Sequence, residues 1–178
     1  MNIIIVRHGQ TDINLERRLQ GITDNPLNDT GREQALITKE KLKDEKIDLI
    51  ICSPLLRARQ TADIINEGRN IKIIYDARLI ERNFGEYEGK YIKDYNVNEF
   101  WSYRTNKKYK EAENVRDFLN RIYGFLDEVI EKYNDKNILL VAHAGVSVAF
   151  KCYFQGIPED DKLVEIRLKN CEFLKKEL

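Results

Sequence analysis

Short, uninterrupted runs of apolar residues recur along the chain and predict buried strands. They occupy residues 3–6, 49–52, 71–75 and 138–142, and are rich in Ile, Val and Leu. A run that is apolar on both faces is typical of a strand in a parallel sheet covered by helices on both sides. We therefore expect four strands in the middle layer of a sandwich.

The segments between these runs carry the three-to-four-residue period of amphipathic helices. The clearest example is 114–133, where one stripe is entirely apolar. A shorter apolar helix is predicted at 145–154, directly after the last run. The stripe of the long helix comprises Val115, Phe118, Leu119, Ile122, Phe125, Leu126, Val129 and Ile130.

Two further helices have recognisable start signals. Thr30 followed by Glu33 forms a potential capping box, which predicts that a helix begins there. Ser53 followed by Pro54 is typical of an N-cap and a first helical position. The last stretch, 163–178, instead alternates apolar and polar residues around a polar centre, so it predicts an antiparallel hairpin at a sheet edge.

Alternating strands and helices predict an α/β fold, a three-layer α/β/α sandwich with a mostly parallel mixed sheet. No linker-like stretch divides the chain, so we expect a single domain over 1–178. Residues 84–109 lack a clean period and hold eight of the 17 aromatic residues, together with several Lys and Arg. Two interpretations stay open: 84–112 is a peripheral segment packed by its own aromatics, or it also roofs a substrate site.

The composition argues against several classes of protein, namely nucleic-acid binders, membrane proteins and disulfide-linked proteins. Lys plus Arg and Asp plus Glu both total 30, and the resulting zero net charge argues against a nucleic-acid or membrane-surface binder. The three cysteines are odd in number and widely spaced, which indicates reduced thiols rather than disulfides or a zinc site. No apolar stretch suits a signal peptide or a membrane helix, so we expect a cytoplasmic protein.

Chemically active residues follow three of the four apolar runs. Arg7, His8 and Gly9 follow the first, Arg57 lies shortly after the second, and His143 follows the fourth. Ligands of open α/β sheets bind beyond the carboxyl ends of the strands. Both histidines of the chain are therefore predicted to lie at one edge of the sheet, beside two arginines.

This set of residues suits a phosphate ester. The planar guanidinium groups of Arg7 and Arg57 match phosphate oxygens and would neutralise a dianion. Gly9 would let the backbone approach a ligand. A neutral imidazole can attack phosphorus, and no serine, cysteine or phosphate-binding loop competes with His8 for that role. His143, if protonated, would stabilise the charge of the transferring group.

The leaving alcohol needs a proton from an acid with a raised pKa. The carboxylate-rich stretch after the third run supplies three candidates, Glu81, Glu86 and Glu88, among which spacing does not choose. A zinc site on the two histidines is the competing hypothesis. Two neighbouring arginines would repel a divalent cation, so we disfavour it and expect no metal.

Four motifs, in order, resemble the histidine phosphatase superfamily, the phosphoglycerate mutase-like proteins. They are VRHGQT, SPLLRARQTA, LIERNFGEYEG and VAHAG. The resemblance covers nearly the whole chain, with Gln20 and Gly21 falling within it as candidate substrate contacts. It implies that His8 becomes phosphohistidine, that Arg7, Arg57 and His143 hold the phosphoryl group, and that no metal or other cofactor is needed. It also implies that Asn14 donates to a phosphate oxygen and that Glu81 is the acid and then the base.

Structural interpretations remain for individual residues. Arg57 could pair with a carboxylate of its own helix, and Arg7 could belong to a buried ion-pair network. Asn14 could be a turn residue, and Glu81 a surface carboxylate.

The resemblance leaves three functions open. A phosphomonoesterase acting on small phosphorylated metabolites is favoured, because the segment 89–112 is compact whereas the mutases of the family carry an insertion there. A cofactor-dependent phosphoglycerate mutase and an inactive phosphate-binding module are the alternatives. Arg82 argues for an acidic or doubly phosphorylated substrate. Candidate activities include those of broad-specificity sugar and nucleotide phosphatases, α-ribazole phosphatase and fructose-bisphosphate phosphatases, among which the sequence does not choose. We expect a monomer or homodimer.

Overall fold

The computed structural model describes residues 1–178 and is built around one five-stranded sheet in the order β3-β2-β4-β1-β5. Three strand pairs are parallel, and only β5, which pairs with β1, runs antiparallel. The mixed, mostly parallel sheet is confirmed. The strands are β1 (Asn2–Arg7), β2 (Leu49–Cys52), β3 (Ile73–Tyr75), β4 (Asn137–Ala142) and β5 (Phe173–Glu177).

Six α-helices accompany the sheet, and four of them form its two outer layers. Successive residues of β1 point to opposite faces: Ile3 and Ile5 pack with the larger core cluster, Ile4 and Val6 with the smaller. The larger cluster includes the buried faces of α5 and α6, the smaller that of α3. The three-layer sandwich is therefore confirmed. The helices are α1 (Asp12–Leu15), α2 (Asp29–Lys41), α3 (Leu56–Asn66), α4 (Val97–Phe100), α5 (Val115–Lys132) and α6 (Ala144–Gln155).

All four apolar runs contain strands, but the third is shorter than predicted. It covers Ile73–Tyr75 and forms an edge of the sheet, next to β2 alone. Tyr75 is exposed at that edge, whereas β2 is buried along its whole length. The long amphipathic helix is confirmed as α5, and its apolar stripe is buried except for Ile130 at the end, which is half-buried.

The predicted C-terminal hairpin is wrong. Only the second half is a strand, β5, whereas Leu163–Ile166 forms a turn of 3-10 helix. Leu163 and Leu168 are buried in the larger core cluster. The backbone N–H of Leu168 donates to Ser147 Oγ and its carbonyl accepts from Arg7, so side chains rather than a partner strand satisfy this segment.

Both predicted helix starts are also wrong, by about two residues. Helix α2 is capped by Asn28, whose Oδ1 accepts from the N–H of Gly31 at 2.9 Å. The backbone N–H of Asn28 donates to the carbonyl of Gln10. This bond favours Asn28 as the N-cap over Thr30, which is an equally suitable residue type. Helix α3 begins at Leu56, whose backbone N–H donates to Asp24 Oδ1 at 2.6 Å; the N-cap residue Leu55 provides no side-chain cap, and Ser53 is used elsewhere.

The cysteines and the helices bear on two further expectations, which concern disulfides and membrane spans. The three cysteines are free and buried, as predicted. Burial raises the pKa of the thiols of Cys152 and Cys171 to about 11 and about 12, so they stay protonated. None of the helices has the length and apolar character required to cross a bilayer.

Candidate active site

The two histidines follow neighbouring strands, as the sheet order requires. The backbone N–H of His8 extends the β1–β4 ladder by donating to the carbonyl of Ala142 at 2.9 Å. His8 and His143 are both buried, and their ring centroids lie 5.2 Å apart. Adjacent parallel strands therefore place both imidazoles at one edge of the sheet.

His8 has one nitrogen committed and one available. Its Nδ1 lies 2.7 Å from the carbonyl oxygen of Gly9, which can only accept, so Nδ1 carries the proton. Nε2 keeps a free lone pair, towards which the Nε–H of Arg57 points at 3.2 Å. Burial, followed by the charges of Arg57 and Arg7, lowers the pKa of His8 well below its usual value. The imidazole is neutral and nucleophilic at Nε2.

Arg57 is completely buried beside His8. Its Nη2 donates to the carbonyl of Gly21 at 2.7 Å and its Nη1 to the carbonyl of Thr23 at 2.8 Å. Its donors go to His8 and to these two carbonyls, and not to a carboxylate of its own helix, so that alternative is not seen. Burial lowers its pKa to about 10, and the group therefore stays cationic at neutral pH.

Arg7, at the end of β1, borders the same space. Its Nη1 donates to the carbonyl of Leu168 at 2.9 Å, and its Nε is buried without a partner. No carboxylate lies within ion-pair distance, although the charge of Glu81 acts on it; burial lowers its pKa to about 10. A buried donor without a partner is available to an anion.

His143 is tied to a residue that sequence reasoning assigned to a helix cap. Its Nε2 lies 2.7 Å from Ser53 Oγ, and its Nδ1 is buried without a partner. Burial, followed by the charge of Arg57, lowers the pKa of His143, so the expected protonated form is not the resting one. The position of Ser53, directly after β2, was the signal for its place at the sheet edge.

Glu81 is buried against the same edge, not on the surface. Its carboxylate accepts from the backbone N–H groups of Gly145 and Arg82, both at 2.9 Å. Burial outweighs these bonds and the nearby arginines, and raises its pKa. A carboxyl group that holds its proton more tightly than usual can act as a general acid.

The other two candidate acids are placed differently. Glu86 is exposed and away from the cavity. The carboxylate of Glu88 accepts from the backbone N–H groups of Gly21, Ile22 and Thr23, and from the hydroxyl of Thr23. Glu88 therefore organises the loop 20–23, whose carbonyls hold Arg57.

Asn14 and Gln20 border the cavity together. Asn14 also closes a capping box with Thr11 at the start of α1, so its turn role is real as well. Gln20 Oε1 accepts from the hydroxyl of Thr11 at 2.7 Å, and its Nε2 is buried without a partner. Both side chains can offer N–H donors to a bound anion.

The two predicted glycine contacts have packing reasons. A Cβ on Gly9 would collide with the carbonyl of Gly31 in α2, and one on Gly21 with the carbonyl of Arg82. Neither lines the cavity. These glycines let chain segments approach each other, so the expected role of Gly9 in ligand approach is not seen.

Arg82, the residue expected to meet an acidic substrate, does not line the cavity. Its side chain is fully buried outside the cavity, and donates to the carbonyls of Glu113 and Phe100, both at 2.7 Å. The guanidinium also lies 4.5 Å from the ring centre of Phe100 and 4.9 Å from that of Trp101. Arg82 holds the aromatic segment together through cation–π contacts and hydrogen bonds.

A cavity of about 170 Å³ opens beside Arg7, His8 and Glu81. Half of the residues around it are apolar, and the segment 84–112 contributes four of them. The aromatic segment thus packs on itself and also walls the cavity. The apolar lining residues are Leu19, Phe84, Ile92, Val97, Trp101, Ala144, Val148 and Val164.

The side chains around the two histidines also bear on metal binding. The structure contains no group of three or more His, Cys, Asp or Glu side chains arranged to hold a metal ion. The two histidines are instead flanked by Arg7 and Arg57.

Comparison with known proteins places this geometry in context. The sequence model of the "Histidine phosphatase superfamily (branch 1)" matches residues 3–177. The chain is 37% identical to "Uncharacterized phosphatase PhoE" of Bacillus subtilis, over 96% of this chain and 88% of that one. It is 32% identical to "Probable phosphoglycerate mutase GpmB" of Escherichia coli K12, over 96% and 82%.

A solved structure shares the fold. The alpha-ribazole phosphatase from Shigella flexneri superimposes with a TM-score of 0.85 and 26% identity, over 98% of this chain and 89% of that one.

Proposed function

Since this chain belongs to the histidine phosphatase superfamily, branch 1, we propose that it hydrolyses small phosphate monoesters through a phosphohistidine on His8. The observation that carries this proposal is the state of His8. Its Nε2 is unprotonated and buried, while Arg57 directs an N–H at it and Arg7 borders the same cavity. Relatives named phosphatases support the same class of reaction.

The first step transfers the phosphoryl group to the protein. Arg7 and Arg57 neutralise the dianion of the ester, and Asn14 adds a donor. His8 Nε2 forms a bond to phosphorus as the bond to the leaving oxygen breaks. Protonated Glu81 delivers its proton to that oxygen, so the alcohol departs neutral.

The second step returns the protein to its starting state. Glu81, now a carboxylate, accepts a proton from water as the water oxygen attacks phosphorus. The P–N bond breaks, its electron pair returns to His8 Nε2, and inorganic phosphate leaves. Burial of Glu81 serves the first step, because a raised pKa lets the carboxyl group hold the proton that it delivers.

His143 changes its protonation state with the ligand. In the resting site burial and the charge of Arg57 hold it neutral. A phosphate dianion beside the ring would oppose both effects and raise the pKa of His143. With both ring nitrogens protonated, Nδ1, which is buried without a partner in the protein, offers an N–H to the transferring group.

No metal takes part in this proposal, because two buried guanidinium groups supply the positive charge that a metal would supply. Pre-incubation with EDTA is expected to leave turnover unchanged. A loss of activity that an added divalent ion restores would contradict this.

The phosphohistidine is directly testable. Purified protein is incubated with a panel of phosphate monoesters in EDTA-containing buffer, and phosphate release is measured beside trapping of acid-labile phosphoprotein. His8→Ala should lower turnover by at least about 1000-fold and abolish trapping, because the nucleophile is lost. Circular dichroism checks that the variant is folded. Retained turnover or trapping would contradict the mechanism.

A mutase is the second candidate, because one relative carries that name. The same preparation is supplied with 3-phosphoglycerate and catalytic bisphosphoglycerate. Formation of 2-phosphoglycerate without phosphate release would establish the mutase. Silence on this pair and on the whole panel would instead favour a binding module.

A further inference from the structure

Beyond the phosphate position, the site opens into a wider, strongly basic basin of about 780 Å³. Five cationic side chains line it and only one carboxylate, Glu16, although cationic and acidic residues balance over the whole chain. A local excess of this size creates a positive potential, which a concave surface focuses. The cationic residues are Arg7, Arg17, Arg18, Lys93 and Arg167.

The basin and the catalytic cavity are continuous. Arg7, Asn14, Arg18, Ile92 and Arg167 border both. Arg7 thus faces the phosphate position and the basin alike. Because these residues form one continuous wall, a leaving group that follows it away from a phosphate beside His8 would bring its far end into the basin.

The cations of the basin differ in availability. Arg18 is committed, because it pairs with Glu16 at 2.9 Å and donates to the carbonyl of Gly89. Arg167 donates only to the carbonyl of Val164, in its own turn, and forms no ion pair. Arg17 and Lys93 are exposed and have no carboxylate partner either. Three positive charges therefore remain uncompensated.

We propose that Arg17, Lys93 and Arg167 form a second anion site, which selects phosphate monoesters carrying a further anionic group at the far end of the leaving group. The shared ligand chemistry is a carboxylate or a second phosphate. This inference rests on the proposed function and refines its substrate class. It also replaces Arg82, which is buried away from the cavity, as the origin of such a preference.

The test compares matched ligands. Phosphorylated hydroxycarboxylic acids of increasing chain length are each paired with the phosphorylated diol of the same length, and with the bisphosphate as a third arm. Affinity is measured by calorimetry on His8→Ala, which cannot turn the ligands over. At one chain length the acid or the bisphosphate should bind at least about tenfold tighter than the diol. The better of these two arms identifies the second anion.

Variants assign the preference to the basin. Arg167→Gln should reduce it several-fold, Arg167→Glu should abolish it, and added salt should weaken it, because exposed charges are screened. Arg59→Gln is the matched control: Arg59 is exposed, forms no ion pair and lies outside both cavities. It should leave the preference intact.

Hydrolysis of the same ligands by the unmodified protein separates the two proposals. Equal affinity for acid, bisphosphate and diol at every length, with turnover present, would overturn the second anion site alone. A clear preference in binding without any turnover would overturn the proposed function while supporting the anion site. If Arg59→Gln removes the preference as readily as Arg167→Glu does, the second anion site is overturned, because general surface charge would then explain the preference.

Discussion

At His8, a single hydrogen bond chooses the reactive nitrogen. The carbonyl of Gly9, its own neighbour in the chain, accepts from Nδ1 and leaves Nε2 free. This contact joins two consecutive residues, so it depends only on the backbone conformation at the end of β1. The charge environment of Nε2 is not local, because Arg57 comes from another helix. Reactivity therefore combines a short-range tautomer choice with a long-range pKa shift.

Glu81 carries the prediction that belongs to the residue scale. Glu81→Gln keeps the size of the side chain but removes the proton donor. Hydrolysis of an alkyl phosphate should fall by roughly 100- to 10,000-fold, because its leaving oxygen needs a proton. Hydrolysis of p-nitrophenyl phosphate should fall much less in its first step, since nitrophenolate leaves unprotonated. Steady-state rates and the burst of nitrophenolate release measure the difference.

Glu86→Gln is the control for this experiment, because Glu86 is exposed and makes no contact in the cavity. Equal losses for both substrates in the burst phase would move the general acid to another residue.

Among the elements, the loop 20–23 shows how distant segments position a catalytic group. Glu88, from the segment after β3, accepts from three consecutive N–H groups of this loop. The loop in turn presents two carbonyls to Arg57. The guanidinium is thus oriented by a carboxylate that never touches it.

Substituting Glu88 tests this arrangement. Glu88→Gln retains one acceptor oxygen for several donors, so the loop should loosen and Arg57 should shift. We expect kcat/KM to fall by up to about 100-fold. The acid limb of the pH–rate profile should also move to higher pH, because the charge of Arg57 helps to hold the pKa of His8 low.

The neighbouring Glu86→Gln again serves as the control and should change neither quantity. A loss of activity in Glu88→Gln with an unmoved acid limb would show that Glu88 does not act through the charge of Arg57 on His8.

Helices and strands were predicted correctly where many residues contributed to the sequence pattern, and wrongly where a few residues did. Strands and the helix α5 were predictable, because their apolar residues repeat over many positions and are buried as a set. The C-terminal alternation was misleading, since Leu163 and Leu168 satisfy a core position without any strand. The start of α2 depends on the bond from the backbone N–H of Asn28 to the carbonyl of Gln10, and the start of α3 on the bond from the N–H of Leu56 to the side chain of Asp24. No local sequence pattern encodes these contacts.

For the whole molecule, the two histidines link stability to pH. Both are buried and neutral with lowered pKa values, whereas in the unfolded chain each protonates near pH ~6.5. Below that pH the unfolded state binds more protons, so the free energy of unfolding should fall as the pH decreases. Each histidine contributes up to about 1.4 kcal/mol per pH unit. Glu81, with its raised pKa, opposes part of this loss.

Urea unfolding between about pH 7.5 and 5.5 measures this slope. His143→Asn removes one of the two groups. It should therefore lower the slope of the free energy of unfolding against pH by up to about 1.4 kcal/mol per pH unit, which corresponds to one proton. Parallel curves for the variant and the unmodified protein would show that His143 does not titrate differently in the two states.

The sequence by itself determined the family, the α/β sandwich and the candidates at the strand ends. These follow from apolar periodicity and from residues that lie within a few positions of a strand, both of which are local properties. The structure brings Arg7, His8, Arg57 and His143 together as that reasoning expects. Their catalytic roles remain proposals, tested by the variants above.

Only the tertiary structure decided which side chains share a cavity. Arg82, next to Glu81 in the chain, is buried among aromatic rings, whereas Arg167, far away in sequence, borders the same cavity as Arg7. Ser53 contacts His143, and Glu88 organises a loop more than 60 residues away. Such contacts depend on how helices and loops pack across the sheet. Packing brings together residues that are far apart in the chain, and no sequence pattern indicates which of them will meet.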